Sequence, residues 1–358
     1  MKKTLLLISA IALSISVSGQ VLETENFNSL TVGNVGTAFD GTAPGQGNFL
    51  TFANNGDPAT STTNNAGNSN FQIASTGAAT NSFDLTSPNA IGGVRFMWKS
   101  GGIGTQWSGR TAGNNVIELE YTFNTGAATT SKSNFGVRLY SAAGNAIVGY
   151  GYNTDTRVLN GIAYLNNAGT PGTFNINLAS GGLILNANTS YTIGCSYNTA
   201  TGEVLWKTDA NAGAAGLPNS FWITSQVPDE IDFVSFSSAG DPNAAPPVPG
   251  NASAATISFD NYQVKATATS NLLSIEDGQS YEASVNVYPN PTTDILNITS
   301  DTQPFTAVDI VDLNGRLIKS LEVDANNVTT NVQELKPGLY ILNISNKEGT
   351  ISRKFIKE

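Results

Sequence analysis

Histidine is missing altogether from the 358 residues. With it go Ser-His-Asp and Cys-His nucleophilic catalysis, histidine-ligated zinc and imidazole acid-base chemistry. What remains open is carboxylate chemistry or none. The single cysteine, Cys195, excludes an intramolecular disulfide. It falls in the alternating run Tyr191-Thr-Ile-Gly-Cys-Ser-Tyr197, on the side of Tyr191, Ile193 and Tyr197, where it reads as a buried small hydrophobe with no base partner. Charge is scarce at 12% of residues, and the net −10 contains no long run of one sign, which argues against a nucleic-acid or anionic-membrane partner. No stretch reaches the ~20 apolar residues of a membrane helix.

What is present begins with Met1-Lys2-Lys3 and the apolar run Leu5 to Leu13, a charged and then short hydrophobic pattern that predicts a secretory signal peptide over 1–19. Gly, Asn, Ser, Thr and Ala dominate the remainder, a composition that disfavours helices and supports short strands joined by polar turns. Period-two alternation recurs at Val94 to Trp98, Val116 to Phe123, Phe135 to Tyr140, Thr192 to Tyr197, Glu203 to Trp206 and Thr256 to Val264. The expected class is all-β: a large jelly-roll β-sandwich over 20–265, a linker over 266–283, and a small immunoglobulin-like β-sandwich over 284–358. Pro242 to Pro249 reads as a loop, and Trp98, in register with Val94 and Phe96, as a core residue.

The C-terminal segment contains Tyr288-Pro289-Asn290-Pro291, then Asn314-Gly315, then Pro337-Gly338-Leu-Tyr340. The prolines fix an extended start, Asn-Gly marks a hairpin, and Pro-Gly makes a tight turn before an alternating strand. In this order they are similar to the type A sorting domain of type IX secretion. That resemblance implies export across the outer membrane by the type IX machinery, removal of the domain by its sortase, and a cargo that is released or attached to the cell surface.

The segment Tyr191 to Trp206, with a turn through Asn198 to Gly202, resembles the hairpin of concanavalin-like and laminin-G-like jelly rolls. Glu23 to Leu30 and Ile257 to Val264 resemble their first and last strands; a galactose-binding-like jelly roll is the alternative. In several jelly-roll families those strand ends share a calcium ion, and the resemblance implies Glu25 and Asp260 as its ligands. No organic cofactor is implied.

Glu118 and Glu120 share one face of a strand with Cα atoms ~6.8 Å apart, a separation that offers a carboxyl pair for glycoside hydrolysis. Family 16 glycoside hydrolases place three acids on such a face, whereas here Val116 precedes and Thr122 follows the pair. Ile117, Leu119, Tyr121 and Phe123 form the expected core face. Trp107, in the glycine-rich stretch Gly101 to Arg110, is the expected stacking platform for a sugar, with Arg110 beside it to bond hydroxyls. The leading reading is a secreted or surface-attached protein that binds glycan or extracellular polymer, as an adhesin does. A glycoside hydrolase or polysaccharide lyase, using Glu118 and Glu120, is the rival, and a structural surface protein the third.

Overall fold

The computed structural model describes residues 19–56, 64–77, 80–210, 215–272, 285–300, 304–312, 316–345 and 350–358. The chain divides into two compact units, Met1–Leu273 and Ser274–Glu358. The expected signal peptide and the Asn314-Gly315 turn lie outside the described residues.

The first unit is a jelly-roll β-sandwich, as its alternating runs predict. Its larger sheet runs in the order Ala215–Gly216, Val204–Thr208, Ser190–Asn198, Val116–Asn124, Thr256–Thr267, Thr80–Thr86, Phe71–Gly77 and Gly33–Asn34. The first strand, Gln20–Glu25, also pairs antiparallel with the last, Thr256–Thr267. The other sheet is ordered Thr170–Asn177, Val158–Asn167, Ala146–Asn153, Ser133–Ser141, Pro228–Ser237, Val94–Lys99 and Phe49–Asn54. A short eighth strand, Leu183–Ile184, pairs with Val158–Asn167.

Alternation decides which side chains enter the core. Ile117, Leu119, Tyr121 and Phe123 from one sheet meet Phe135, Val137 and Leu139 from the other, all buried in one apolar cluster. An aromatic group anchors it, with Phe233 edge-on to Phe83 at 5.5 Å and to Phe259 at 5.3 Å between ring centroids. Such edge-to-face pairs contribute beyond the area they bury. Cys195 is fully buried, and burial pushes its thiol well up. The expected hairpin closes where the sequence places it: the Asn198 N–H donates to Glu203 O at 2.9 Å, and the Gly202 N–H to Asn198 O at 2.7 Å. Pro242 to Pro249 form an excursion bridged at Asp241 and Val248. The final strand extends to Thr267, and residues 268–272 still belong to this unit, past the point where the sequence suggested a linker.

One expected strand is reversed in face. Arg95 and Met97 point into the sandwich with no exposure, while Val94, Phe96 and Trp98 lie half-buried on the other side. Amide and carbonyl oxygens receive both terminal nitrogens of the inward guanidinium: its Nη1 donates to Asn54 O at 2.7 Å, and its Nη2 to Asn65 Oδ1 at 2.9 Å. The alternation of this strand sets Val94, Phe96 and Trp98 against Arg95, Met97 and Lys99 and so points to the aromatic set as the core side, whereas the structure turns Arg95 and Met97 inward.

The second unit has its own core of Leu296, Ile298, Phe305, Val308, Ile310, Leu342, Ile344 and Phe355. Its described strands form one sheet of Val285–Tyr288, Ile295–Ser300 and Asn327–Asn331, and another of Leu317–Ala325, Phe305–Val311, Gly338–Ser345 and Thr350–Lys357. Asn290 ties the proline-flanked segment to the last strand, donating from Nδ2 to Lys354 O at 3.0 Å and accepting the Ile356 N–H at 2.9 Å. Tyr340 stacks on Phe355 at 5.6 Å.

Candidate functional site

The outer face of the sheet containing Ser133–Ser141 gathers the polar and aromatic groups that the core excludes. Because Phe135, Val137 and Leu139 point inward, Asn134, Arg138 and Tyr140 of the same strand must point outward. Strand register then sets a row across the sheet: Trp98 opposite Asp232, Asp232 opposite Arg138, Arg138 opposite Gly149, Gly149 opposite Ile162, and Ile162 opposite Asn175. A hollow of about 380 Å³ opens on this face, lined by Asn134, Arg138, Asn153, Ile162, Thr173, Phe174, Asn175 and Phe236. Its volume lies in the ~300–1,000 Å³ range of small-molecule sites.

Glycine keeps the floor low. A Cβ on Gly136 would stand 1.9 Å from the Tyr150 carbonyl oxygen, and one on Gly149 2.5 Å from that of Val137. Arg138 lies over the Phe236 ring at 4.5 Å and donates from Nη2 to Asn134 Oδ1 at 3.0 Å. Phe236 packs edge-on to Phe96 at 5.4 Å, which continues the aromatic surface toward the Phe49–Asn54 edge strand.

Beside this hollow sits a carboxyl pair that the sequence reading did not single out. Glu230 and Asp232 alternate on one strand and hydrogen-bond each other. Burial, reinforced in Asp232 by the charge of Glu230, raises the pKa of both. The signal was present in Glu230-Ile-Asp-Phe-Val-Ser-Phe236, where Ile231 and Phe233 alternate with the acids.

The residues singled out from sequence have other surroundings. Trp107, expected in an open loop, is a correction: it lies in a short helix, Gly104–Ser108, and is only 4% exposed, within the core cluster. Ile103 and Trp107 stand four residues apart, so one helical turn sends both inward. Arg110 stacks over the Trp107 ring at 4.0 Å and donates to Asn114 O at 2.7 Å and Trp107 O at 3.0 Å. It fastens the helix end instead of facing a ligand.

Glu25 and Asp260 stand on the two paired end strands, Glu25 opposite Tyr262. Glu25 Oε2 is 3.2 Å from Lys99 Nζ, and its Oε1 accepts the Phe27 N–H at 3.0 Å. Asp260 accepts the Asn261 N–H at 2.7 Å, and burial raises its pKa. Among the described residues no group of three or more His, Cys, Asp or Glu could hold a metal ion. A calcium ion at Glu25 would therefore have to displace a lysine.

Glu118 and Glu120 do share a face, outward from the core, but residues 268–272 form a strap over it. The Asn271 N–H donates to Glu118 Oε1, Ser270 Oγ lies 2.9 Å from Ser196 Oγ, and Lys207 Nζ donates to Leu272 O at 3.1 Å. Glu120 pairs with Lys265 at 3.6 Å. Glu118 is 2% exposed, and burial, opposed by the Asn271 hydrogen bond, pushes its carboxyl up to about 7 from the usual 4.5. Between those two values the native state holds a proton that the unfolded chain has lost. Stability therefore falls as pH rises from about 4.5 to about 7, and the cost, about 3 kcal/mol, is complete above that window. Glu118→Gln is expected to match the parent below pH 4.5 and to exceed it by up to about 3 kcal/mol at pH 8. Urea unfolding at both pH values checks this; equal stability at pH 8 would show that the strap holds the carboxylate ionised at no cost.

Comparison with known proteins assigns the second unit. Residues 286–358 match the secretion system C-terminal sorting domain. The C-terminal unit is a type IX secretion sorting domain. The protein is accordingly secreted, and is either released or attached to the outer-membrane surface. No helix among the described residues is long and apolar enough to cross a membrane. No curated protein matches the chain in sequence. Among solved structures it is similar to one of botulinum neurotoxin type C, at 9% identity and a TM-score of 0.36 over 91% of this chain and 73% of that one. It is also similar to a family 7 alginate lyase, A1-II′, at 8% identity and a TM-score of 0.36 over 56% and 83%. A third is the carbohydrate recognition domain of Emp46p in its metal-free form, at 9% identity and a TM-score of 0.35 over 66% and 97%.

Proposed function

We propose that the first unit is a glycan-binding module delivered outside the cell by its sorting domain, and that it takes its ligand on the outer face of the sheet bearing Arg138. The carrying observation is the hollow, which sets the Phe236 ring beside Arg138 and among the side-chain amides of Asn134, Asn153 and Asn175. Sugars present apolar ring faces and outward hydroxyls, which this combination matches. Isothermal titration of the secreted protein against a polysaccharide panel should find a ligand. Asn175→Ala, at an exposed position, should weaken it about fivefold, the value of one lost hydrogen bond, without changing the melting temperature. Binding indifferent to that change would remove the hollow from the function.

A second reading, polysaccharide cleavage, is favoured by the Glu230–Asp232 pair, since a carboxyl kept protonated near neutrality is suited to general-acid work. In that case the same panel would release products, and Asp232→Asn would stop release while leaving binding. An adhesive role is the binding reading applied to a surface-attached protein, and silence in both assays would leave the structural role.

A further inference from the structure

We infer that the hollow takes an uncharged sugar and grips one of its hydroxyls between Arg138 and Asp232. The inference rests on the glycan-binding reading and narrows it to a ligand class. Two buried polar atoms on this face have no hydrogen-bond partner, Arg138 Nε and Asp232 Oδ1. Asp232 is 5% exposed. Such atoms normally find partners, because leaving one without costs about 1–3 kcal/mol. These two belong to residues directly opposite each other on neighbouring strands, which sets their Cβ atoms about 4.5–5.5 Å apart.

One atom can only donate and the other accepts, on residues that face each other across neighbouring strands. A hydroxyl does both at once, accepting from the guanidinium and donating to the carboxyl oxygen. A ligand carboxylate or sulfate only accepts. It would satisfy Arg138, leave Asp232 Oδ1 unmatched and bring a second negative charge against the acidic pair.

Charge across the unit points the same way. Residues 20–272 carry 8 Lys and Arg against 15 Asp and Glu, so a polyanion approaches an unfavourable field. Arg138 is the only cationic side chain lining the hollow among the described residues. It is opposed by Asp232 and Glu230 on the adjoining strand, and Tyr140 of its own strand hydrogen-bonds it. The ring of Phe236, against which Arg138 lies, offers an apolar surface beside the paired groups for the face of a sugar.

The test uses the full-length secreted protein in affinity electrophoresis and titration calorimetry. The probes are neutral glucans, mannans, galactans and xylans, set beside polyuronates and sulfated polysaccharides, each at about 20 mM and 200 mM salt, a range over which charge-driven binding collapses. The expected result is retention by a neutral polysaccharide with affinity unchanged by salt. Asp232→Leu, which removes the acceptor, should weaken binding about tenfold, and Asp232→Asn, which keeps an acceptor oxygen, should stay within about threefold. Arg138→Met should match Asp232→Leu. Melting temperatures identify any variant that has lost its fold, and the Asp232→Asn comparison decides the matter if the leucine variant has. Binding confined to polyanions and fading with salt would overturn the inference while leaving the glycan reading in place. So would neutral binding that Asn175→Ala weakens but the Arg138 and Asp232 variants do not. If no glycan of either kind binds, the inference and the reading fall together.

Discussion

Removal of residues 286–358 is expected to stop the first unit reaching the cell surface or medium, leaving it on the inner side of the outer membrane. The effect should be close to all-or-none, because the sorting match covers that segment and the first unit has a separate core in which no part of the second is needed. A folded, stranded cargo is thus the outcome to look for. Fractionation and surface proteolysis of cells expressing full-length and truncated protein measure it, and the melting temperature of the retained form separates lost export from lost folding. Fusing 274–358 to an unrelated exported domain should send that domain outward. Equal surface display of the truncated and full-length proteins would overturn the assignment.

Trp107→Ala is expected to cost about 3–5 kcal/mol of stability, the usual penalty for deleting a large side chain from a packed interior. The indole is 4% exposed and lies with Ile103 in the main core cluster. Arg110, stacked on it at 4.0 Å, would lose its platform and loosen the Gly104–Ser108 turn. Denaturant unfolding of the variant measures the loss. Any molecules that remain folded should bind glycan as the parent does, since the ring is enclosed in the core cluster and does not line the hollow. A change below about 0.5 kcal/mol, typical of a surface position, would return Trp107 to the role of an exposed platform.

That reversal shows where the sequence was legible. In Val116 to Phe123 one face is uniformly apolar and the other carries Glu118, Glu120 and Thr122, so a period of two assigned the core correctly. In Val94 to Trp98 the alternation sets Val94, Phe96 and Trp98 against Arg95 and Met97, which favours the aromatic face, and only the location of the partner sheet could overrule it. Aromatic side chains on the outer face won because that face is itself a half-covered surface, and Arg95 could turn inward because oxygens of Asn54 and Asn65 received it. Trp107 misled for a related reason: glycines on either side read as an open loop, while the spacing from Ile103 was too short a helical pattern to stand out. The end-strand pairing was visible through resemblance, but the lysine beside Glu25 was not, because Lys99 comes from a strand 74 residues away. The sorting domain was the most legible part, since its signal is carried by ordered local turns. The hollow was the least. It is assembled by register among strands far apart in sequence, and no single segment contains it.

The low floor under that hollow limits how this protein can change its preferences. Any side chain at Gly136 or Gly149 would run into the carbonyl oxygens of Tyr150 or Val137, so the middle of the face admits almost no variation. Freedom is concentrated on the Thr170–Asn177 edge strand, whose Thr173, Asn175 and Asn177 are exposed. Randomising those three codons in a display library samples the tunable part of the surface while the central strands stay intact, so altering which sugar is held becomes a task confined to one peripheral strand.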